Sequence, residues 1–309
     1  MKNFLSILIV LFTIHIAVAQ EMTYKETEVS VSKHIDGTLL IPNDIEKPIL
    51  VIIIAGSGPT DRNGNQNFMK NDALKKLAES LTAKSIATFR YDKRIIKQIL
   101  NRDIDKDLLF DDFVSDAKAV VTYFTESEKF SKIYIAGHSQ GSLVGMLASE
   151  KDVDGFISLA GAGQNIGDVI VEQVAKMSPQ LGEEAQKVVN KLKSGEKTTD
   201  FPQALASVFN ADIQDFMINW MSYEPTEIIH ELKIPILIIN GTKDLQVSEN
   251  EANLLKEANE NAQLNIIENM NHVLFEIVGG DLENSKSYNE SSREISALLI
   301  ENIVNFVKK

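Results

Sequence analysis

A chain of 309 residues that is 44% hydrophobic and 24% charged has the balance of a folded protein, which excludes disorder as its main state. It contains no cysteine, which removes disulfides, thiolate metal sites and cysteine nucleophiles. The net charge of −13 argues against a sequence-independent grip on nucleic acid or anionic lipid, since both need clustered Lys and Arg.

Taken in chain order, Lys2 precedes an apolar run over residues 4–18, and Ala17-Val18-Ala19 supplies the small side chains that a signal peptidase requires. Residues 1–19 therefore read as a secretory leader cleaved after Ala19. The run is shorter than the ~20 residues that cross a bilayer as a helix, so the expected product has no membrane span and is secreted or periplasmic.

Residues 24–33 and 37–41 alternate well enough for an opening hairpin, and residues 48–55 (PILVIIIA) are continuously apolar and β-branched. A strand apolar on both faces belongs inside a sheet covered by helices. Similar short runs occur at 85–90, 132–136, 155–160, 234–240 and 264–268. Between them lie helical patterns such as residues 107–125, where Phe110, Phe113, Val114, Ala117, Val121 and Phe124 share one face. Strand alternating with helix implies an α/β fold with a mainly parallel sheet and right-handed crossovers. The alternation lapses over residues 164–232, which read as a helical cap inserted into a core of residues 20–163 and 233–309. Within the cap, residues 194–200 look like a loop. Phe209, Ile213, Met217 and Trp220 fall on one helical face, which either packs the cap onto the sheet or lines an acyl pocket.

The chemistry gathers where strands end. Gly137-His138-Ser139-Gln140-Gly141 follows an apolar strand and opens a helix, the setting of a nucleophile elbow. A serine on such a turn projects its hydroxyl above the sheet, beside the unpaired N–H groups of a helix N-terminus. Its proton must go to a base, and imidazole is the natural one. Of five histidines, His15 leaves with the leader, His34 lies in the hairpin, His138 is locked in the elbow, and His230 precedes a strand at the opposite edge. His272 follows the last strand, at the same edge as Ser139. Asp244 follows the strand over 234–240 and can orient that imidazole. Its plainer role, capping the next helix, suits Ser248 better. The order Ser139, Asp244, His272 is that of an α/β-hydrolase triad. An oxyanion would be met by the backbone N–H groups of Ser57, in Ala55-Gly56-Ser57-Gly58-Pro59, and of Gln140, with Gly58 as the alternative to Ser57. That loop lacks the G-K-[ST] ending of a nucleotide phosphate loop.

GSGPTDRNG (56–64), RYDKR (90–94), GHSQG (137–141), GTKDLQV (241–247) and Asn271-His272 together resemble the bacterial α/β-hydrolase-fold carboxylesterases with a helical cap. More distantly they are similar to the prolyl oligopeptidase and dienelactone hydrolase relatives. The resemblance spans nearly all of the chain after the leader. It implies an eight-stranded sheet, a triad of Ser139, Asp244 and His272, oxyanion donors Ser57 and Gln140, and no cofactor or metal. After DKR such proteins usually turn on a glycine, whereas this chain has Ile95-Ile96-Lys97. Asp61, Arg62, Asp92 and Arg94 would serve as charged supports beneath the site or as substrate contacts. The expected activity is hydrolysis of small esters with short to medium acyl chains. Peptide or amide hydrolysis by the same triad, or a catalytically silent binding protein, are the alternatives.

Overall fold

The computed structural model describes residues 24–149 and 152–309. The leader assigned to residues 1–19 lies outside the described residues. The first half of the chain forms β1 (Tyr24–Ser30), β2 (Asp36–Pro42), β3 (Leu50–Ile54), α1 (Ala73–Thr82), β4 (Ala87–Tyr91), α2 (Arg94–Asn101), α3 (Phe110–Glu126), β5 (Ile133–His138) and α4 (Gln140–Ala148). It continues with β6 (Gly155–Leu159), α5 (Ile166–Met177), α6 (Pro179–Lys193), α7 (Ala206–Phe209), α8 (Gln214–Met221) and α9 (Pro225–Glu231). The last stretch holds β7 (Ile236–Gly241), α10 (Glu249–Ala258), β8 (Gln263–Ile267), α11 (Asp281–Ser287) and α12 (Ala297–Val307).

The strands form one eight-stranded sheet in the order β1-β2-β4-β3-β5-β6-β7-β8. It is parallel from β4 to β8 and antiparallel where β2 meets its two neighbours. The apolar runs follow from helices on both faces. In β3, Leu50, Ile52 and Ile54 join the core on the side of α3 and α4, while Val51 and Ile53 join the core under α1 and α12. Because strand side chains alternate, a strand covered on both sides has no polar position left. Each such side chain taken wholly out of water contributes about 1.5–3 kcal/mol. Where related chains turn on a glycine after DKR, this one enters α2 directly at Arg94.

Between β6 and β7 the chain leaves the sheet for helices α5 to α9. These carry a core of their own, including Val174, Val188, Leu192, Phe209 and Met217. The single helical face expected for Phe209, Ile213, Met217 and Trp220 is broken into pieces. α7 ends at Phe209, and the Asn210 side chain accepts a hydrogen bond from the Asp212 amide at 3.0 Å, which starts a short 3-10 turn before α8. Asparagine competes well for such N-terminal amides, so the sequence restarts a helix there instead of continuing one. All four side chains still pack into this core. Among the described residues, no helix is long and apolar enough to cross a membrane.

Candidate active site

Parallel strands end together, so the segments after β3, β5, β7 and β8 meet along one edge. Ser139 stands between β5 and α4 with φ 53° and ψ −121°, a region that a residue bearing a Cβ enters only under constraint. The constraint is visible. The Ser139 amide donates to the Leu159 carbonyl at 2.9 Å, tying the elbow to β6. A Cβ on Gly137 would come within 2.1 Å of the Gly141 carbonyl oxygen, and one on Gly141 within 2.4 Å of that of Ile54. Both glycines of the pentapeptide are thus required by close backbone approach, and the strain they permit is stored at the serine.

Asp244 and His272 come together as the sequence order suggests. The Asp244 carboxylate is fully buried and His272 is 4% exposed. Asp244 Oδ2 accepts from His272 Nδ1 at 2.8 Å, while Oδ1 accepts from the backbone amides of Gln246 and Val247, each at 2.8 Å. A carboxylate can only accept here, so the ring proton is on Nδ1 and Nε2 is left as the basic nitrogen. The two loops are also bound to each other, since the Thr242 amide donates to Ile267 and the Lys243 amide to Met270. Asn271 anchors the histidine from behind. Its side chain, wholly buried, donates to Asn284 Oδ1 and Ser287 Oγ and accepts from the Phe275 amide.

Ser139 and His272 line one small cavity together with Gly56, Ser57, His138 and Tyr288. No hydrogen bond joins the Ser139 hydroxyl to the imidazole, and such bonds commonly tighten when a substrate is seated. On the other side Ser139, Ser57 and Gln140 open into a larger cavity of about 210 Å³, walled by Leu143, Ile166, Val169, Ile170 and Trp220. α5 supplies Ile166, Val169, Ile170 and Gln173 to this lining, and α8 supplies Trp220. Of the four cap residues expected on one face, Trp220 reaches this lining. Phe209 and Met217 stay in the cap's own core.

Among the described residues, no loop, turn or cap hydrogen bond uses the amide of Ser57 or Gln140. The Ser57 carbonyl is held by Thr60 Oγ1 at 2.8 Å and Gln66 Nε2 at 2.9 Å. Gly58, the alternative donor, lines neither cavity. The charged residues after β3 and β4 pair away from the serine. Arg62 grips Asp92 through Nε and Nη2 and also reaches Glu28. Asp61 accepts from the amides of Asn63 and Asn65, and Arg94 forks onto Asp116 with a further bond to Asp112. Asp61, Arg62 and Asp92 thus shape the loops after β3 and β4, and Arg94 ties α2 to α3. Ser248 stands at the start of α10, but its hydroxyl does not cap it.

Two residues next to the site were not singled out by sequence as functional. His138 Nε2 donates to the His272 carbonyl at 2.7 Å, and burial, with His272 beside it, pushes its pKa down to about 4. It is therefore a neutral strut under the base. Lys93 is 6% exposed, and burial pushes its pKa down to about 7. Among the described residues, no cluster of three or more His, Asp or Glu is arranged to hold a metal ion.

Known proteins share the fold and, in part, the sequence. A family profile described as serine aminopeptidase, S33, matches residues 70–276. The esterase EstD of Thermotoga maritima is 26% identical over 265 residues, which cover 82% of this chain and 60% of EstD. The chain thus spans less than two thirds of that relative's length. Among solved structures, Est1E from Butyrivibrio proteoclasticus superposes with a TM-score of 0.57 at 17% identity, covering 92% of this chain and 99% of Est1E. The Pyrococcus furiosus esterase Pf2001 gives 0.55 at 16% identity, over 92% and 90% of the two chains. These structures share the fold.

Proposed function

The chain belongs to the serine aminopeptidase S33 family, and we propose that it hydrolyses carboxylic esters through an acyl-enzyme. One observation carries the reading. A strained serine, an imidazole oriented by a buried carboxylate, and two unused amides face common cavities at one edge of the sheet.

In this mechanism Ser139 Oγ attacks the carbonyl carbon as His272 Nε2 takes its proton, and Asp244 holds the imidazolium in register. The carbonyl oxygen becomes an oxyanion facing the Ser57 and Gln140 amides. When the intermediate collapses, the C–O bond to the alcohol breaks and His272 returns the proton to the departing oxygen. Water then repeats the cycle on the acyl-serine and frees the acid.

Esters are favoured over aminopeptides by the lining of the larger cavity. Its residues are apolar or neutral: beyond Ser57, Ser139 and Gln140 of the site itself the polar members are Gln164, Gln173 and Gln246, and none carries a charge. The α-ammonium of a peptide would have no carboxylate to meet there. The apolar wall and modest volume suit a short to medium acyl chain. The name of EstD supports the same chemistry, while the family description keeps amide hydrolysis as the second reading.

The test is a panel of p-nitrophenyl esters from acetate to decanoate beside aminoacyl p-nitroanilides, run on the wild type and on Ser139→Ala. Ester turnover that peaks at short to medium chains and vanishes in the variant is expected. Turnover confined to anilides would move the reading to a peptidase, and ester turnover surviving in Ser139→Ala would end it. We also propose export. The apolar run and Ala17-Val18-Ala19 support cleavage after Ala19, which N-terminal sequencing of the periplasmic or secreted protein tests.

A further inference from the structure

Lys93 lies just past β4, at the same edge as the candidate active site, and both hydrogen bonds of its ammonium go to the parts that would receive an oxyanion. Nζ donates to the Gly56 carbonyl at 3.0 Å and to Gln140 Oε1 at 2.7 Å, and it sits 4.2 Å above the centre of the Phe113 ring. Among the described residues no carboxylate pairs with it, because the neighbouring acids are taken by others: Asp92 by Arg62, Asp112 and Asp116 by Arg94. A buried ammonium without a counter-ion is an unfavourable choice for packing alone; burial lowers its pKa to about 7, so the charge is fully present only below neutral pH.

The Gly56 carbonyl and the Ser57 N–H belong to one planar trans peptide, so fixing the oxygen fixes the direction of the amide. A cation on that oxygen also polarises the peptide and makes its N–H a stronger donor. The same ammonium ties down the side chain of Gln140, whose backbone amide is the other donor. We propose that Lys93 is the positioning residue of the oxyanion hole, setting and polarising the Gly56–Ser57 peptide and locking it to Gln140. This rests on the ester-hydrolase reading above. It predicts that removing the charge weakens transition-state binding while leaving substrate binding in place.

The experiment compares the wild type with Lys93→Met and Lys93→Gln. Steady-state hydrolysis of p-nitrophenyl butyrate is measured together with inhibition by a trifluoromethyl ketone, which becomes an oxyanion on Ser139. The expected result is a kcat about 100-fold lower in both variants with KM within about twofold of wild type. Affinity for the ketone falls in parallel, with thermal melting held near the wild-type value. If both variants keep wild-type kcat and ketone affinity, Lys93 does not position the donors. If KM rises while kcat holds, it acts in substrate binding and the proposal fails. If neither variant folds, its role is structural and the proposal again fails. A wild type without Ser139-dependent turnover would instead overturn the functional reading itself.

Discussion

The carboxyl edge of the sheet and the helical excursion between β6 and β7 are held together in different ways. At the edge Ser139 and the loop that carries Asp244 are fixed by backbone bonds to a neighbouring strand or loop: Ser139 to Leu159, Thr242 to Ile267, Lys243 to Met270. The excursion folds around its own core and touches the rest at a few places. Glu251 accepts from the Gly163 and Gln164 amides, Gln173 donates to the Gln246 carbonyl, Asn219 and Tyr223 reach Asp111, and Trp220 stacks on Phe110 at 5.5 Å between ring centres. One region carries the candidate residues, and the other supplies walls. Chemistry and selectivity therefore reside in parts that can change independently.

The largest effect should come from the rigid edge. Asp244→Asn offers His272 an amide where it now finds a carboxylate, which favours the wrong tautomer, and kcat should fall about 10⁴-fold. Stopped-flow release of p-nitrophenol measures it, and a loss under tenfold would show that the edge does not orient the base. Gly141→Ala drives a Cβ against the Ile54 carbonyl, where strand backbone cannot retreat. A loss of more than about 4 kcal/mol is expected in urea unfolding, and a variant as stable as wild type would mean the elbow is looser than described.

What could be read in advance follows the same division. The elbow, Asp244 and His272 lie each a few residues past an apolar strand, so local pattern placed them on one edge. Lys93 and His138 take their meaning from partners 37 to 134 positions away, Gly56, Gln140 and His272, and no spacing rule links such pairs. The cap was legible as helix. Its break at Asn210 was missed because an asparagine within an apolar periodicity signals a cap only when the next amides turn toward it.

Two smaller effects sharpen the comparison. His138 has a folded pKa of about 4 against an ordinary 6.5. On acidification the unfolded chain takes up the proton first, so stability falls between pH 6.5 and 4 and levels off below. By pH 4.5 this single group should cost roughly 2 to 3 kcal/mol. His138→Gln should remove that part of the pH dependence, read as the difference between urea midpoints at pH 7 and 4.5; identical slopes in both proteins would contradict it. In the excursion, Ile170→Phe narrows the larger cavity. The ratio of octanoate to acetate kcat/KM should drop about tenfold, the range of one or two methylenes in an apolar pocket. An unchanged ratio would place the acyl chain elsewhere.

The most direct measurement is peptide mapping by mass spectrometry after reaction with a fluorophosphonate, which labels only a serine activated as a nucleophile. One adduct per chain is expected, on Ser139 within Gly137-His138-Ser139-Gln140-Gly141, and it should be lost in His272→Ala. An adduct on another residue, or labelling of Ser139 that persists at full rate without His272, would contradict a serine activated by the imidazole held on Asp244.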